Sequence, residues 1–160
     1  MGYEIRRVRP DAWETVRDIR LIALADTPSA FASTLERETG YDEQRWRQWI
    51  AGIACFLAWD GDQPVGVAGA LLLDNGEWHV VSMWASPQAR GTGAAGQLIE
   101  AAVGYMRAEG AREVTLWVTE GNDRARAFYE RSGFRATGKR QRVRPGEPLM
   151  EQEMSLAVGG

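Results

Sequence analysis

The sequence predicts an α/β fold in which a mixed, mostly antiparallel central sheet is flanked by helices. Two runs rich in β-forming residues are joined by Asp60-Gly61-Asp62, and Asp74-Asn75-Gly76 turns the chain into a third, as in an antiparallel meander. The third strand leads through a glycine loop at residues 90–96 into a helix, and a further strand then crosses back beside it. With 160 residues, the chain is expected to form one domain, residues 1–160.

The N-terminal third of the chain is expected to supply one short strand and two helices. Apolar residues alternate over residues 3–8, which is typical of a strand. A helix is predicted from about Asp11 to about Ala25, because an acidic start is followed by one apolar face. A second helix should begin near Asp42, and residues 29–40 before it are expected to be a loop or a loose helical turn.

The rest of the chain is expected to complete the sheet and to add two more helices. The long helix runs from the glycine loop to Gly110, and a short one runs from an Asn122 N-cap to Arg131, with Gly133 as its left-handed stop. The predicted strands are residues 54–59, 64–73, 78–85 and 114–118, one starting at Phe134, and one over about 149–156.

Composition and charge exclude several classes of function. The formal net charge of −3 gives no general reason to expect nucleic-acid binding. The single cysteine, Cys55, excludes an internal disulfide framework and fits a reducing compartment. The sequence shows no apolar leader and no run long enough to span a membrane. We therefore expect a cytoplasmic protein that binds neither nucleic acid nor membrane and uses no metal.

The glycine loop, RGTGAAG at residues 90–96, is the first candidate functional motif. A helix leaves its first amide N–H groups unpaired, and the absence of a Cβ atom at Gly91 and Gly93 lets a phosphate approach the backbone closely. The motif therefore predicts a pyrophosphate-binding loop. The alternative is a glycine turn that serves only close packing.

A dinucleotide-binding fold is a second interpretation of the same loop. Gly91, Gly93 and Gly96 fit the pattern GxGxxG, and Glu120 follows at a plausible strand end. Too little chain follows Glu120 for further βα repeats, and residues 86–90 separate the strand from the first glycine. These two features argue against a dinucleotide site.

The second candidate motif is NDRARAFYERSGF, residues 122–134. Ala125, Phe128, Tyr129 and Ser132 share one side of the predicted helix, so Phe128 and Tyr129 are expected in the core. A buried phenol also needs a partner for its hydroxyl group, and one that faces an anchored ligand could donate a proton. The reference pKa of a phenol, about 10, is close enough to that of a thiol, about 8.5, for transfer to a thiolate.

These two motifs, in this order and at this separation, resemble two conserved blocks of the GCN5-related N-acetyltransferases, the GNAT superfamily. The resemblance covers about residues 78–134, and the predicted strands on both sides agree with the GNAT-type sheet. The matching positions are Arg90, Gly93 and Ala95 in the family's (Q/R)xxGx(G/A) signature, and Asn122, Ala125, Tyr129, Gly133 and Phe134 in its second block.

The resemblance implies acetyl-CoA as the co-substrate and assigns roles to individual residues. Backbone amides of the glycine loop would hold the pyrophosphate, and main-chain groups near Met83 and Ala85 would pair with the pantetheine arm where the strand splays from its neighbour. Asn122 would lie on the cofactor or acceptor side, and Tyr129 would protonate the departing thiolate. The implied cofactor-binding residues are Met83, Ala85, Arg90, Gly91, Thr92, Gly93, Ala94, Ala95 and Asn122; the implied catalytic residues are Tyr129 and Asn122.

The base for the acceptor amine is not identified by the resemblance. Some family members carry a glutamate in the strand after the long helix, whereas this chain has Trp117 at the corresponding position. A nucleophilic pair of His79 and Cys55 is disfavoured, because nothing around either residue indicates an activated thiol. The candidate bases, each with a structural or solvated role as its alternative, are Glu36, Glu38, His79 and Glu120.

Residues 29–38 resemble the segment that lies near the acceptor in many relatives. Phe31, Ser33 and Glu36 are therefore expected to contact substrate, together with Glu120. The alternative is a surface loop whose Phe31 packs in the core.

The sequence thus predicts an acetyl-CoA-dependent N-acetyltransferase that acts on a primary amine, a small molecule or a peptide, by direct attack. A non-catalytic acyl-CoA-binding or sensing domain is the alternative, and a dinucleotide-dependent reductase comes third. A homodimer is compatible with the resemblance. The basic residues from Lys139 to Arg144 either attract an acidic acceptor or the adenosine 3′-phosphate, or form a solvated hairpin.

Overall fold

The computed structural model describes residues 3–31 and 33–159. In these residues, seven strands form one sheet. The strands are β1 (Glu4–Arg7), β2 (Ala54–Asp60), β3 (Gln63–Leu72), β4 (Trp78–Ala85), β5 (Glu113–Thr119), β6 (Arg135–Arg142) and β7 (Met150–Ala157); the helices are α1 (Trp13–Asp26), α2 (Leu35–Thr39), α3 (Glu43–Gly52), α4 (Ala94–Ala108) and α5 (Asp123–Arg131).

The predicted mixed, mostly antiparallel sheet is confirmed. Its strand order is β1-β2-β3-β4-β5-β7-β6. The pairing of β4 with β5 is parallel, as the predicted βαβ unit requires, and the other pairs are antiparallel. No helix in the described part of the chain is long and apolar enough to cross a membrane.

Two of the three helix starts predicted from capping or acidic residues are confirmed by hydrogen bonds, whereas α1 begins at Trp13, after a 3₁₀ turn over Pro10–Ala12, with no side-chain cap from Asp11. The Asp42 side chain accepts a bond from the Arg45 amide at 2.8 Å, and the Asn122 side chain accepts one from the Ala125 amide at 3.2 Å. Gly133 ends α5 with φ +100°, the predicted left-handed stop.

The segment before Asp42 contains more regular structure than a single loop. A 3₁₀ turn covers Pro28–Ala30, and α2 follows, with the Thr34 hydroxyl group accepting a bond from the Arg37 amide at 3.2 Å. This is the side-chain N-cap that a Thr at such a position supplies. Ala32, in the middle of the predicted acceptor-proximal segment, lies outside the described residues.

The core has two parts, one on each face of the sheet. Alternate residues of β2 point to opposite faces, so that Phe56 packs with α4 and Leu57 packs with α1. The helix α4 crosses β2, β3 and β4, and its Leu98 is fully buried. This packing fixes the N-terminus of α4 beside the end of β4, which is where the glycine loop lies.

Candidate active site

The strands β4 and β5 separate soon after they begin. Their pairing consists of Trp78 with Val114 and His79 with Thr115, and the remaining residues of both strands are unpaired with each other. A strand that loses its neighbour presents free backbone N–H and C=O groups. The C-terminal half of β4 therefore has an open edge, as the resemblance implied.

A β-bulge lies in this same half of β4. Val81 pairs with Gly69 and Trp84 pairs with Val67, so two residues of β4, Ser82 and Met83, oppose one residue of β3. Ser82 has φ +59°, and it is the only non-glycine residue with a positive φ in residues 3–31 and 33–159. The bulge bends β4 at the point where it has left β5.

A groove of about 260 Å³ lies between the open edge of β4, the glycine loop and α5. It brings together seven of the predicted site residues, which are Met83, Ala85, Arg90, Gly91, Ala95, Asn122 and Tyr129. Gly93 instead lines an adjoining cavity of about 740 Å³ between α4 and α5. The sequence motifs separated along the chain thus form one continuous surface.

The glycine loop has the geometry of an anion-binding site. Gly91 and Gly93 have φ +77° and +96°, and a Cβ atom at either position would meet nothing within 4 Å, so the space in front of the loop is open. The first internal hydrogen bond of the 15-residue α4 runs from the Gln97 amide to the Gly93 carbonyl at 3.0 Å. The amides of residues 93–96 therefore precede the ladder and are available to a ligand.

Two amides of the predicted binding loop are already engaged. The Arg90 amide donates to the Ser86 carbonyl at 3.2 Å, and the Thr92 amide donates to the Ala89 carbonyl at 3.3 Å. These bonds shape the turn that precedes α4. Of the amides from Arg90 to Ala95, those of Gly91, Gly93, Ala94 and Ala95 are thus the ones that can face a phosphate.

The Arg90 side chain is held by neighbouring groups. Its Nε atom donates to the Ala85 carbonyl at 3.0 Å, and its guanidinium also bonds the Asp26 carboxylate. Trp84 donates from Nε1 to the same carboxylate at 3.0 Å. The bond from Trp84, with a further contribution from Arg90, lowers the pKa of Asp26. Asp26 therefore ties the end of β4 to the glycine loop and offsets the charge of Arg90.

Tyr129 is both a core residue and part of the groove. Its ring makes edge contacts with Phe128 and Phe134, with centroids 5.2 and 5.9 Å away, and the residue is 8% exposed. Burial raises the pKa of its phenol. The hydroxyl group is therefore protonated at physiological pH and is not a resting base, but it is a weaker acid than a free phenol, so the near match with the pKa of a thiol that the reference values give does not hold here.

Asn122 reaches the groove from the N-terminus of α5. Its side-chain oxygen is used as the helix cap, as described above. The amide NH₂ group remains as the part of the side chain that can donate to a ligand.

The predicted substrate residues do not form one common surface. Phe31 is 6% exposed and packs in the core beneath α1, which is the alternative interpretation of this segment. Glu36 is exposed on α2. Ser33 is half-buried, and its Oγ atom has no hydrogen-bond partner among the described residues.

The segment predicted to lie near the acceptor is fastened by its backbone to residues that are distant in the sequence. Thr119, at the end of β5, donates to the Ser29 carbonyl at 2.8 Å, and Arg144 donates to the Phe31 carbonyl at 2.7 Å. The segment is thus fixed beside the end of β5, near the splayed strands. Neither of these anchoring contacts was predicted from the sequence, which pointed to Arg144 only as part of a basic run.

None of the four candidate bases lines the groove in the described part of the chain. Glu120 accepts bonds from Arg140 and, at 3.2 Å, from Gln152, and the bond from Arg140 lowers its pKa. It lines a neighbouring cavity of about 220 Å³, which shares Asn122 with the groove. Glu38 is buried in an ion pair, Glu36 is exposed, and His79 lies where β4 still pairs with β5.

The single cysteine has no catalytic environment. Cys55 is 1% exposed in β2, and burial raises the pKa of its thiol to about 12. A thiol with that pKa has almost no thiolate at neutral pH, so it is a structural core residue.

The basic run after Lys139 is largely paired. Arg140 bonds Glu120, Arg142 donates to the Glu147 carbonyl at 2.7 Å, and Arg144 bonds the Glu147 carboxylate. These pairs favour the solvated-hairpin interpretation over an anion site.

Sequence reasoning missed one buried ion pair beside the groove. Arg20, in α1, is 7% exposed and pairs with Glu38. It occupies a position between Val16 and Ala23 on the buried face of the helix. A charged residue on an otherwise apolar face is the signal that could have identified it.

Comparison with known proteins agrees with this architecture. A curated relative, the mycothiol acetyltransferase of Geodermatophilus obscurus, is 34% identical over 115 residues, which are 66% of this chain and 37% of that protein. The peptidyl-lysine N-acetyltransferase YjaB of Escherichia coli is 34% identical over 87 residues, 54% of this chain and 52% of that protein. The chain spans about a third to a half of the length of these relatives.

A solved structure gives the same fold over nearly the whole chain. The phosphinothricin acetyltransferase of Sinorhizobium meliloti, crystallised with acetyl-CoA, has a TM-score of 0.79 and 20% identity, and the match covers 99% of this chain and 90% of that one. At this identity the likeness concerns the fold alone. The family model of the acetyltransferase (GNAT) family matches residues 16–134. The chain therefore belongs to the acetyltransferase (GNAT) family.

Proposed function

We propose that the protein transfers an acetyl group from acetyl-CoA to a primary amine. The observation that carries this proposal is the groove, in which the glycine loop, the open edge of β4 and Tyr129 line one surface. These features can serve an N-acetyltransferase in three ways. The glycine loop would anchor the donor, the open edge of β4 would bind its thioester arm, and Tyr129 would supply a proton to the thiolate. Family membership supports the same activity.

The chain's residues fit the donor molecule. The amides of Gly91, Gly93, Ala94 and Ala95 would hold the pyrophosphate at the start of α4, where the helix dipole favours negative charge. Backbone groups of Met83 and Ala85 on the open edge of β4 would bond the amide groups of the pantetheine arm, as an added strand does. Arg90 and Thr92 contribute by shaping the loop.

The chemistry divides between the donor and two side chains. Acetyl-CoA, when bound, supplies the acetyl group as a thioester that a neutral amine attacks directly. Tyr129 holds a proton at its hydroxyl oxygen and passes it to the departing sulfur as the C–S bond breaks, and the proton that the attacking amine loses restores the neutral phenol through water. The NH₂ group of Asn122 orients a carbonyl oxygen of the donor or the acceptor.

The acceptor is an amine of a small molecule or of a peptide. The names of the two curated relatives describe mycothiol and peptidyl-lysine acetylation, which are one acceptor of each kind. Because no candidate carboxylate lines the groove, the amine enters in its neutral form or loses its proton through water. Ser33 and Glu36 remain the proposed contacts on this side, whereas Glu120 is held by Arg140.

Two measurements test the proposal. Calorimetry with acetyl-CoA and with NADPH should show binding of acetyl-CoA alone, and binding of NADPH alone would refute the donor assignment. A panel of amines is then screened for release of free thiol from acetyl-CoA. Release with at least one amine supports an enzyme, whereas binding without release by any amine supports the acyl-CoA-sensing alternative.

A further inference from the structure

The buried guanidinium of Arg20 makes three hydrogen bonds. Its Nε and Nη2 atoms bond the two carboxylate oxygens of Glu38 at 2.9 and 3.0 Å, and its Nη1 atom bonds the Ser82 hydroxyl oxygen at 2.9 Å. Glu38 is 2% exposed. A two-pronged pairing of this kind fixes the orientation of an arginine far better than a single bond does.

Aromatic rings enclose the same guanidinium. The Phe31 ring centroid lies 4.8 Å from its central carbon, and the Trp49 centroid lies 5.7 Å away. The pair thus joins α1, α2 and α3 to the bulge of β4. None of these side chains lines the groove itself, and the chain keeps the pair in spite of the desolvation of two charges.

Ser82 needs a stabilising contact because its backbone is in the left-handed region. At φ +59°, any residue with a Cβ atom has a higher conformational energy than it has in a strand. Glycine, which lacks a Cβ atom, avoids this cost. The hydroxyl group of Ser82 is the part of the residue that Arg20 holds. An alanine here would keep the unfavourable backbone and lose the contact.

We propose that Arg20, oriented by Glu38, is a positioning residue that keeps the β4 bulge at Ser82 in its left-handed conformation and so holds the edge of β4 open for the thioester arm. This inference rests on the proposed function for the role of the open edge. Without the contact, residue 82 relaxes toward an extended conformation, and the bulge no longer presents the Met83 backbone in the bound geometry. Donor binding must then supply the free energy to restore it.

Two substitutions of Ser82 separate this account from a general packing role. Ser82→Ala removes the hydroxyl group and keeps the Cβ atom, so the dissociation constant for acetyl-CoA should rise about fivefold to tenfold. Ser82→Gly also removes the hydroxyl group but favours a positive φ, so its affinity should be much closer to that of the wild type. Calorimetry measures the affinities, and the Cα chemical shift of residue 82, together with the Cβ shift in the variants that have one, reports the backbone conformation.

Arg20→Lys tests the other end of the contact. A lysine keeps the charge opposite Glu38 but lacks the planar group that reaches both partners, so it should weaken acetyl-CoA binding about as much as Ser82→Ala. The double variant should be no weaker than either single one, because both changes remove one interaction. If Arg20→Lys does not fold, Arg20→Met/Glu38→Met removes the pair with both charges and serves in its place.

Arg47→Lys is the matched control, because Arg47 pairs with Glu43 on the exposed side of α3. It should change the affinity less than about twofold. Equal affinities for Ser82→Ala and Ser82→Gly, or additive losses in the double variant, would overturn the inference. If the wild type does not bind acetyl-CoA, the proposed function fails by itself, and the chemical shifts of residue 82 in Ser82→Ala and Arg20→Lys still decide whether Arg20 holds the bulge.

Discussion

The two sides of the proposed site are built from different parts of the chain. On the donor side, the glycine loop and the start of α4 present backbone amides, and the space in front of Gly91 and Gly93 is empty of side chains. On the proposed acceptor side, the Ser29 and Phe31 carbonyls are held by side chains from distant parts of the chain, such as Thr119 on Ser29. One side is formed by local backbone geometry and the other by long-range contacts.

This difference determines how specific each side can be. A backbone site binds the feature that every acyl-CoA shares, its phosphates, because amides offer the same groups whatever side chains surround them. A wall of side chains changes with each substitution and can select among acceptors. We therefore expect variants of the donor side to abolish function and variants of the acceptor side to modulate it.

The largest expected effect is that of Gly93→Glu. The substitution places a Cβ atom at φ +96° and a carboxylate in front of the helix N-terminus, where it competes with the phosphates. Acetyl-CoA affinity should fall by more than about a hundredfold in calorimetry.

Gly76→Glu is the control for that variant. Gly76 has φ +91° with open space around it, in the turn between β3 and β4. The backbone strain and the added charge are the same, but the groove is remote, so binding should stay normal. Normal binding by Gly93→Glu would refute the assignment of the glycine loop.

Tyr129→Phe is expected to have the next largest effect. It removes the buried proton donor and leaves the ring contacts, so transfer should slow about a hundredfold while acetyl-CoA affinity hardly changes. Tyr105→Phe on α4, whose ring also packs against aromatic neighbours, is the matched control and should have wild-type rates. An unchanged rate in Tyr129→Phe would remove this residue from the mechanism.

The donor side could be predicted from sequence because its determinants are adjacent in the chain. The positive φ angles of Gly91 and Gly93, and the Asn122 cap, each follow from one residue type at one position. The strands around them follow from local composition in the same way.

The contacts that complete the site could not be predicted in this way. Asp26 meets Arg90 across 64 positions of sequence, and Arg20 meets Ser82 across 62. Neither partner is marked by a local pattern, since an aspartate at a helix end and a serine in a strand are ordinary residues. Their pairing depends on how α1 packs across β3 and β4, which is a property of the whole fold.

Asp26→Asn should have a moderate effect that depends on pH. The folded protein lowers the pKa of Asp26, so its carboxylate stabilises the fold above the ordinary carboxyl pKa of about 3.9, and this stability is lost as pH falls through the lower folded value. Wild type should therefore be more stable than the variant at pH 7, and the difference should shrink below about pH 4. Denaturant unfolding at several pH values measures it, and a constant difference would contradict the assignment.

Glu120→Gln should have the smallest effect and tests the acceptor side. The carboxylate is held by Arg140 and does not line the groove, so its loss should change the transfer rate and the KM of an active amine by less than about twofold. A general base would instead cost about a hundredfold when removed. Arg140→Gln is the companion variant, because it removes the bond that holds the Glu120 carboxylate while leaving the carboxylate in place. A large loss of transfer rate in Glu120→Gln, with none in Arg140→Gln, would place the Glu120 carboxylate at the acceptor. The acceptor side would then depend on a charged side chain, unlike the donor side, which is built from backbone amides.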